Sequence, residues 1–157
     1  SPAGVSVTWL AATATLWAWH VPALYDAALR HSAVHLLEHS SLVLVGIAAW
    51  DVIRASTPAT GYPARLLFVF ALMLQMAALS AALVFSPRPW YGPYASVPEG
   101  WPLGPMADQQ VAGALMWAVG SLSSLGATAW LIGRWFSAEE QRASAPVPPV
   151  HASRAEW

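Results

Sequence analysis

Four long apolar runs alternate with short polar or Pro/Gly-rich breaks along the chain. They cover about residues 5–21, 32–53, 65–85 and 107–136. A helix rises about 1.5 Å per residue, so runs of this length match a hydrocarbon core of roughly 30 Å. The first run holds no charge and ends in Trp17, Trp19 and His20, ahead of Pro22, which disfavours helix at the residue before it. Pro22 to Arg30 reads as a short connection, with Asp26 as a candidate N-cap. The second run opens His31-Ser-Ala-Val-His35-Leu-Leu-Glu38-His39, and the third carries Gln75 in its middle. The segment from Ser86 to Pro105 is rich in Pro, Gly, Trp and Tyr, which predicts a packed cap. Asp108 opens the fourth run, as N-cap or first-turn acid. From Ser137 the chain turns polar and then Pro-rich. The pattern predicts an all-α polytopic membrane protein. Its transmembrane domain, residues 1–136, is a bundle of four helices, and a disordered cytoplasmic tail spans 137–157.

Composition supports this reading. Hydrophobic residues make up 57% and charged residues 10%, against roughly a quarter charged in a soluble domain. Too few charges remain to coat a water-facing surface, so the lipid bilayer is the expected surrounding. The net charge of −1 offers no basic field for nucleic acid. The absence of cysteine removes disulfides, thiolate metal sites and cysteine nucleophiles together. Ten tryptophans suit interfacial aromatic belts. The chain begins Ser-Pro-Ala-Gly, without an initiator Met or a basic leader, and reads as a fragment or a processed chain.

Every basic side chain other than histidine is an arginine. With four spans, Arg54, Arg65, Arg134, Arg142 and Arg154 share one side, and Arg30 and Arg88 the other. The positive-inside rule places the larger group in the cytoplasm. The end of the first run, the start of the second, the aromatic loop and Asp108 then face outward, to the periplasm or exterior.

Four of the five histidines lie between His20 and His39, at that outer face. His35 and His39 are one helical turn apart and share a face. His31 extends the stripe if the helix begins early, and the short connection can bring His20 alongside. His20, His35, His39 and Asp108 thus converge from three runs at one membrane depth and form the candidate metal set. Neutral imidazoles suit Cu, Zn, Fe and Ni. Each residue also has a plainer reading: His20 as an interfacial side chain, His35 and His39 as helix-packing hydrogen bonders, His31 as solvated, and Asp108 as a cap. Glu38 lies on a different face, to pair with Arg30 or Arg88 or to support a ligand. His35-Leu-Leu-Glu38-His39 also fits the H-x-x-E-H protease pattern, but this short pattern arises often by chance. Met73, Met76, Met106 and Met116 read as apolar filler, although thioethers favour Cu(I). Gln75 is expected to bond between helices, and Gly113, Gly120 and Gly126, with Ala112 and Ala127, to give the fourth helix small faces for close packing.

Trp19-His20-Val-Pro22-Ala-Leu-Tyr25-Asp-Ala-Ala-Leu29, then His35-Leu-Leu-Glu38-His39, then Asp108-Gln109-Gln110-Val-Ala112-Gly113-Ala-Leu-Met116-Trp117 together resemble the CtaG family of caa3-type cytochrome c oxidase assembly factors. The resemblance covers Trp19 to about Trp135. It implies a multi-pass protein of the bacterial plasma membrane, needed to mature the copper centres of a haem–copper oxidase. Oxidase subunits are then its partners, and a homo-oligomer is allowed. Family members are longer; the chain resembles their C-terminal part, without their N-terminal histidine- and methionine-bearing motif. By matching motifs the resemblance carries over His20, His35, His39, Asp108, Gln109 and Met116. The leading expectation is a non-enzymatic factor that binds or passes copper, in an oxidation state left open. The alternatives are a haem- or quinone-binding redox subunit, with histidines on opposed helices, and a scaffold that docks oxidase subunits without metal.

Overall fold

The computed structural model describes residues 2–55, 61–92 and 102–144. These form five helices: α1 (Pro2–Trp19), α2 (Pro22–Arg30), α3 (Ser32–Arg54), α4 (Tyr62–Val84) and α5 (Pro105–Ala143). No strand occurs among the described residues. By length and composition α3, α4 and α5 can each cross a membrane. α1 is 18 residues long and uncharged, and it stands outside that group of three. The four-span expectation is therefore met by three helices on these criteria.

The expected connection between the first two runs is itself helical. Pro22 occupies the first turn of α2, where its missing N–H costs nothing, and good helix formers follow. Asp26 falls inside α2, and Val21 takes the cap position, so the N-cap expectation is corrected. His31 then breaks the helix with an extended backbone, φ −130° and ψ 116°, between α2 and α3.

α4 and α5 form the most intimate pair, and α1 packs against both α3 and α4. The α4–α5 contact depends on small residues. A Cβ at Gly113 would lie 3.0 Å from the Leu83 Cβ and 3.3 Å from the Ser80 carbonyl oxygen. At Gly120 a Cβ would strike the Met76 sulfur at 2.7 Å. Gly113, Gly120 and the buried Ala127 recur every seven residues, a spacing that keeps one stripe of α5 on its neighbour. Gly126 has open space around it and takes no part in the contact, and Ala112 is exposed.

At one end of the bundle Ala49 and Ile53 of α3, Phe68 and Val69 of α4, and Ala127 and Leu131 of α5 form the hydrophobic core. Val5 and Trp9 of α1 pack against it. Arg65, buried at the start of α4, donates from Nη1 to the carbonyls of Ile53 and Ala55. It thereby satisfies carbonyls that the end of α3 leaves without a helical partner. Its guanidinium also lies 4.3 Å from the Tyr62 ring, which stacks in turn on Trp135.

Large apolar side chains face outward along the apolar helices, among them Leu36, Leu37, Val43, Leu44 and Ile47 of α3 and Leu115, Val119, Leu122 and Leu125 of α5. Soluble monomers rarely expose contiguous apolar area beyond a few hundred Å², so these faces fit lipid. α5 has 39 residues, about 58 Å at 1.5 Å per residue, and outruns the hydrocarbon core. It continues past the expected end at Phe136 to Ala143; the rest of the expected tail, from residue 145, lies outside the described residues.

Candidate functional site

The other end of the bundle gathers the end of α1, all of α2, the start of α3, the end of α4 and the start of α5. Two glutamines fix this end. Gln109 is buried; its Nε2 donates to the Leu83 carbonyl at 3.0 Å, and its Oε1 accepts from the Trp90 N–H at 2.7 Å. Gln110 donates to the Val84 carbonyl at 3.2 Å. The first turns of α5 thus cap the terminal carbonyls of α4, which have no partners within their own helix. The described part of the loop is packed as expected: Ser86 Oγ donates to the Arg88 carbonyl at 2.6 Å and accepts from Trp90 Nε1 at 2.9 Å. Residues 93–101 lie outside the described residues.

Tyr91 joins the pieces. Its ring is buried, stacks on Tyr25 of α2 at 4.0 Å, and its hydroxyl donates to the His20 carbonyl at 3.4 Å. Tyr25, Leu83, Pro89, Tyr91, Asp108 and Gln109 line much of a pocket of about 50 Å³, room for little more than a water or two. Asp108 stands in the first turn of α5 and Gly104 in the cap position, so the first-turn reading holds and the N-cap reading does not.

The metal-capable cluster lies on α3. One ligand atom from each of His35, Glu38 and His39 falls within 4.8 Å of the others. Glu38 Oε2 is 3.8 Å from His35 Nδ1 and 3.9 Å from His39 Nδ1, and the two rings are 4.3 Å apart. Two donors on one ion at about 2.1 Å can be at most about 4.2 Å apart, so the set needs a small side-chain rotation to close on an ion. The imidazoles are 55% and 65% exposed, whereas the Glu38 side chain is 14% exposed. The turn is anchored behind the cluster: buried Trp19 donates from Nε1 to Ser41 Oγ at 2.8 Å, and Ser41 donates to the Glu38 carbonyl at 2.9 Å.

This arrangement corrects the placing of Glu38 on a different face from the histidines. Residues three apart are neighbours on a helix, and the carboxylate reaches back between the rings. The sequence signal was the H-x-x-E-H spacing itself. His31, His20 and Asp108 do not join the three-residue cluster. His31 is exposed at the break between α2 and α3. His20 is half-buried, and its Nδ1 donates to the Leu16 carbonyl at 2.7 Å, which leaves Nε2 as the lone-pair nitrogen. His20 and Asp108 stand at the cluster's end of the bundle; the His20 backbone carbonyl accepts from Tyr91, and Asp108 lines the same small pocket as Tyr91. Gln109 has both ends of its amide committed to backbone, and Met116 lies half-buried further along α5. The Gln75 Oε1 is buried without a hydrogen-bond partner, contrary to the expected bond between helices.

The described residues are all-helical, with three helices long and apolar enough to cross a membrane and a His–Glu–His turn at one bundle end, the features of a membrane protein with a candidate ligand-binding turn. Residues 5–138 match the profile of the cytochrome c oxidase caa3 assembly factor family, and the chain belongs to that family. Neither the curated proteins nor the solved structures searched give a match.

Proposed function

We propose that the chain is a non-enzymatic assembly factor that binds or passes copper to a caa3-type cytochrome c oxidase, using His35 and His39. The observation that carries this reading is the pairing of two exposed imidazoles, one turn apart, in a member of an oxidase assembly family. Imidazole nitrogens are good copper ligands, and exposure lets a partner reach them. His20 and Asp108 line the same end and assist loading or release. α1 joins α3, α4 and α5 as a fourth span in the bacterial plasma membrane, and the cluster faces the periplasm or exterior by the arginine asymmetry. Oxidase subunits are the partners.

Copper titration of the full chain in detergent tests the assignment. Native protein is expected to take up copper, and the His35→Ala/His39→Ala variant to lose it. Equal stoichiometry and affinity in both would remove the two histidines from the site.

A metal-free scaffold has one observation in its favour: His39 Nδ1 lies 3.2 Å from the His35 carbonyl and donates to it, an intrahelical use of the ring. That bond leaves Nε2 for a ligand, so the two uses coexist. A scaffold predicts that the double variant still matures oxidase. A haem held between two opposed imidazoles fits less well, because His35 and His39 project from one helix.

A further inference from the structure

We infer that Glu38 is a third ligand of this cluster and that the site holds copper as the divalent ion in preference to Cu(I). The inference rests on reading His35 and His39 as the copper site and goes on to its donor set and oxidation state. The Glu38 carboxylate lies between the two rings, 3.8 Å from His35 Nδ1 and 3.9 Å from His39 Nδ1; His39 uses that nitrogen for the His35 carbonyl and would ligate through Nε2. Glu38 is also the most covered of the three side chains, so the protein places the anion at the base of the site and the imidazoles at its mouth. The result is two neutral nitrogens and one anionic oxygen.

Such a set suits Cu(II) above Zn(II) in the usual order of divalent affinities, whereas Cu(I) prefers thioether and thiolate. The chain has no thiol, and none of its four methionines lies in α2 or α3. The Met76 sulfur is packed at Gly120 in the α4–α5 contact. A carboxylate also offsets part of the charge of a divalent ion, which matters on a turn flanked by the exposed Leu36 and Leu37 at an apolar boundary. Three donors from one helix leave coordination positions open on the outer side. A donor from a partner can enter there, and an N,N,O set holds Cu(II) more firmly than Cu(I).

The test uses the full chain in detergent micelles, titrated separately with Cu(II) alone, Zn(II) alone and Cu(I) held anaerobically under excess ascorbate. Glu38→Gln keeps the side chain's size and is expected to weaken Cu(II) binding at least about tenfold, since even outer-shell partners of metal ligands cost 10–100-fold. Cu(I) binding should change far less. The electron paramagnetic resonance spectrum of Cu(II) on the native chain should show two nitrogen donors with oxygen completing the plane, a readout that needs no substitution. Unchanged Cu(II) affinity in Glu38→Gln, or a spectrum with sulfur or four nitrogens, overturns the inference while leaving the histidine site standing. Loss of all copper binding by the native chain instead overturns the reading on which it rests.

Discussion

Replacing Gln109 by methionine isolates the clamp that holds α5 to the end of α4. Methionine nearly preserves volume and apolar contact but can neither donate to the Leu83 carbonyl nor accept from the Trp90 N–H. Each stranded buried polar group costs about 1–3 kcal/mol. Leu83 is fully within the packed interface, and Trp90 is half-buried, so water can recover part of its loss. The sum is about 2–4 kcal/mol, or about 30- to 1,000-fold in the folding equilibrium, since 1.4 kcal/mol is a factor of ten. Reversible unfolding in mixed micelles, followed by circular dichroism, measures this directly. Tryptophan fluorescence should shift as well, because Trp90 is held by the same amide. Gln110→Met is the internal control: it removes a single longer bond, to Val84 at 3.2 Å, and should cost about 1 kcal/mol or less. A Gln109→Met loss below about 0.5 kcal/mol, or equal losses in the two variants, would refute the clamp argument.

Three further outcomes are expected. Arg65→Met leaves the carbonyls of Ile53 and Ala55 without their donor and should destabilise by about 2–4 kcal/mol, with Arg65→Lys intermediate because it keeps the charge but not the planar fork; the same unfolding assay reads both. Gly113→Leu should disrupt α4–α5 packing by several kcal/mol, because Leu83 Cβ and the Ser80 backbone cannot move aside, whereas Gly126→Leu, with open space around it, should be near neutral. Copper bound by the native chain should be withdrawn by excess EDTA, because both imidazoles stand exposed; equilibrium dialysis checks this, and copper that resists the chelator would argue against a site on this turn.

The helices were legible in the sequence because membrane-length apolar runs leave few other structures. α3 and α4 begin and end close to the apolar runs that predicted them, since Arg54 and the proline-bearing break after it stop one helix and Pro63 stands in the first turn of the next. Two features were hidden. α2 was read as a connection because nine residues give too short a pattern to separate a helix from a turn, and only its packing on α3 shows why it forms. The extension of α5 to Ala143 was missed because polarity marks the end of the apolar run, not the end of the helix. Its exposed last turns keep the Glu139–Arg142 pair at 3.0 Å, an i, i+3 contact that supports helix in water.

The His35–His39 pair followed from spacing alone. The same spacing carried the signal for Glu38, but it was passed over, because the spacing does not determine which way a long carboxylate bends. His20 and Asp108 lie toward the same bundle end, yet depth is a coarser coordinate than distance, and the compact three-residue group on α3 does not include them. Gln109 and Tyr91 could not be assigned from the sequence. Their hydrogen bonds run to backbone groups in distant segments, which carry no side-chain signature.

The most direct test of the copper-delivery account is the copper-to-haem ratio of caa3-type oxidase purified from cells whose only copy of the assembly factor is the His35→Ala/His39→Ala variant. The variant must accumulate in the membrane at the native level. The account predicts oxidase that contains haem but is short of copper and of activity, restored by the native chain. Fully copper-loaded, fully active oxidase from those cells would contradict it.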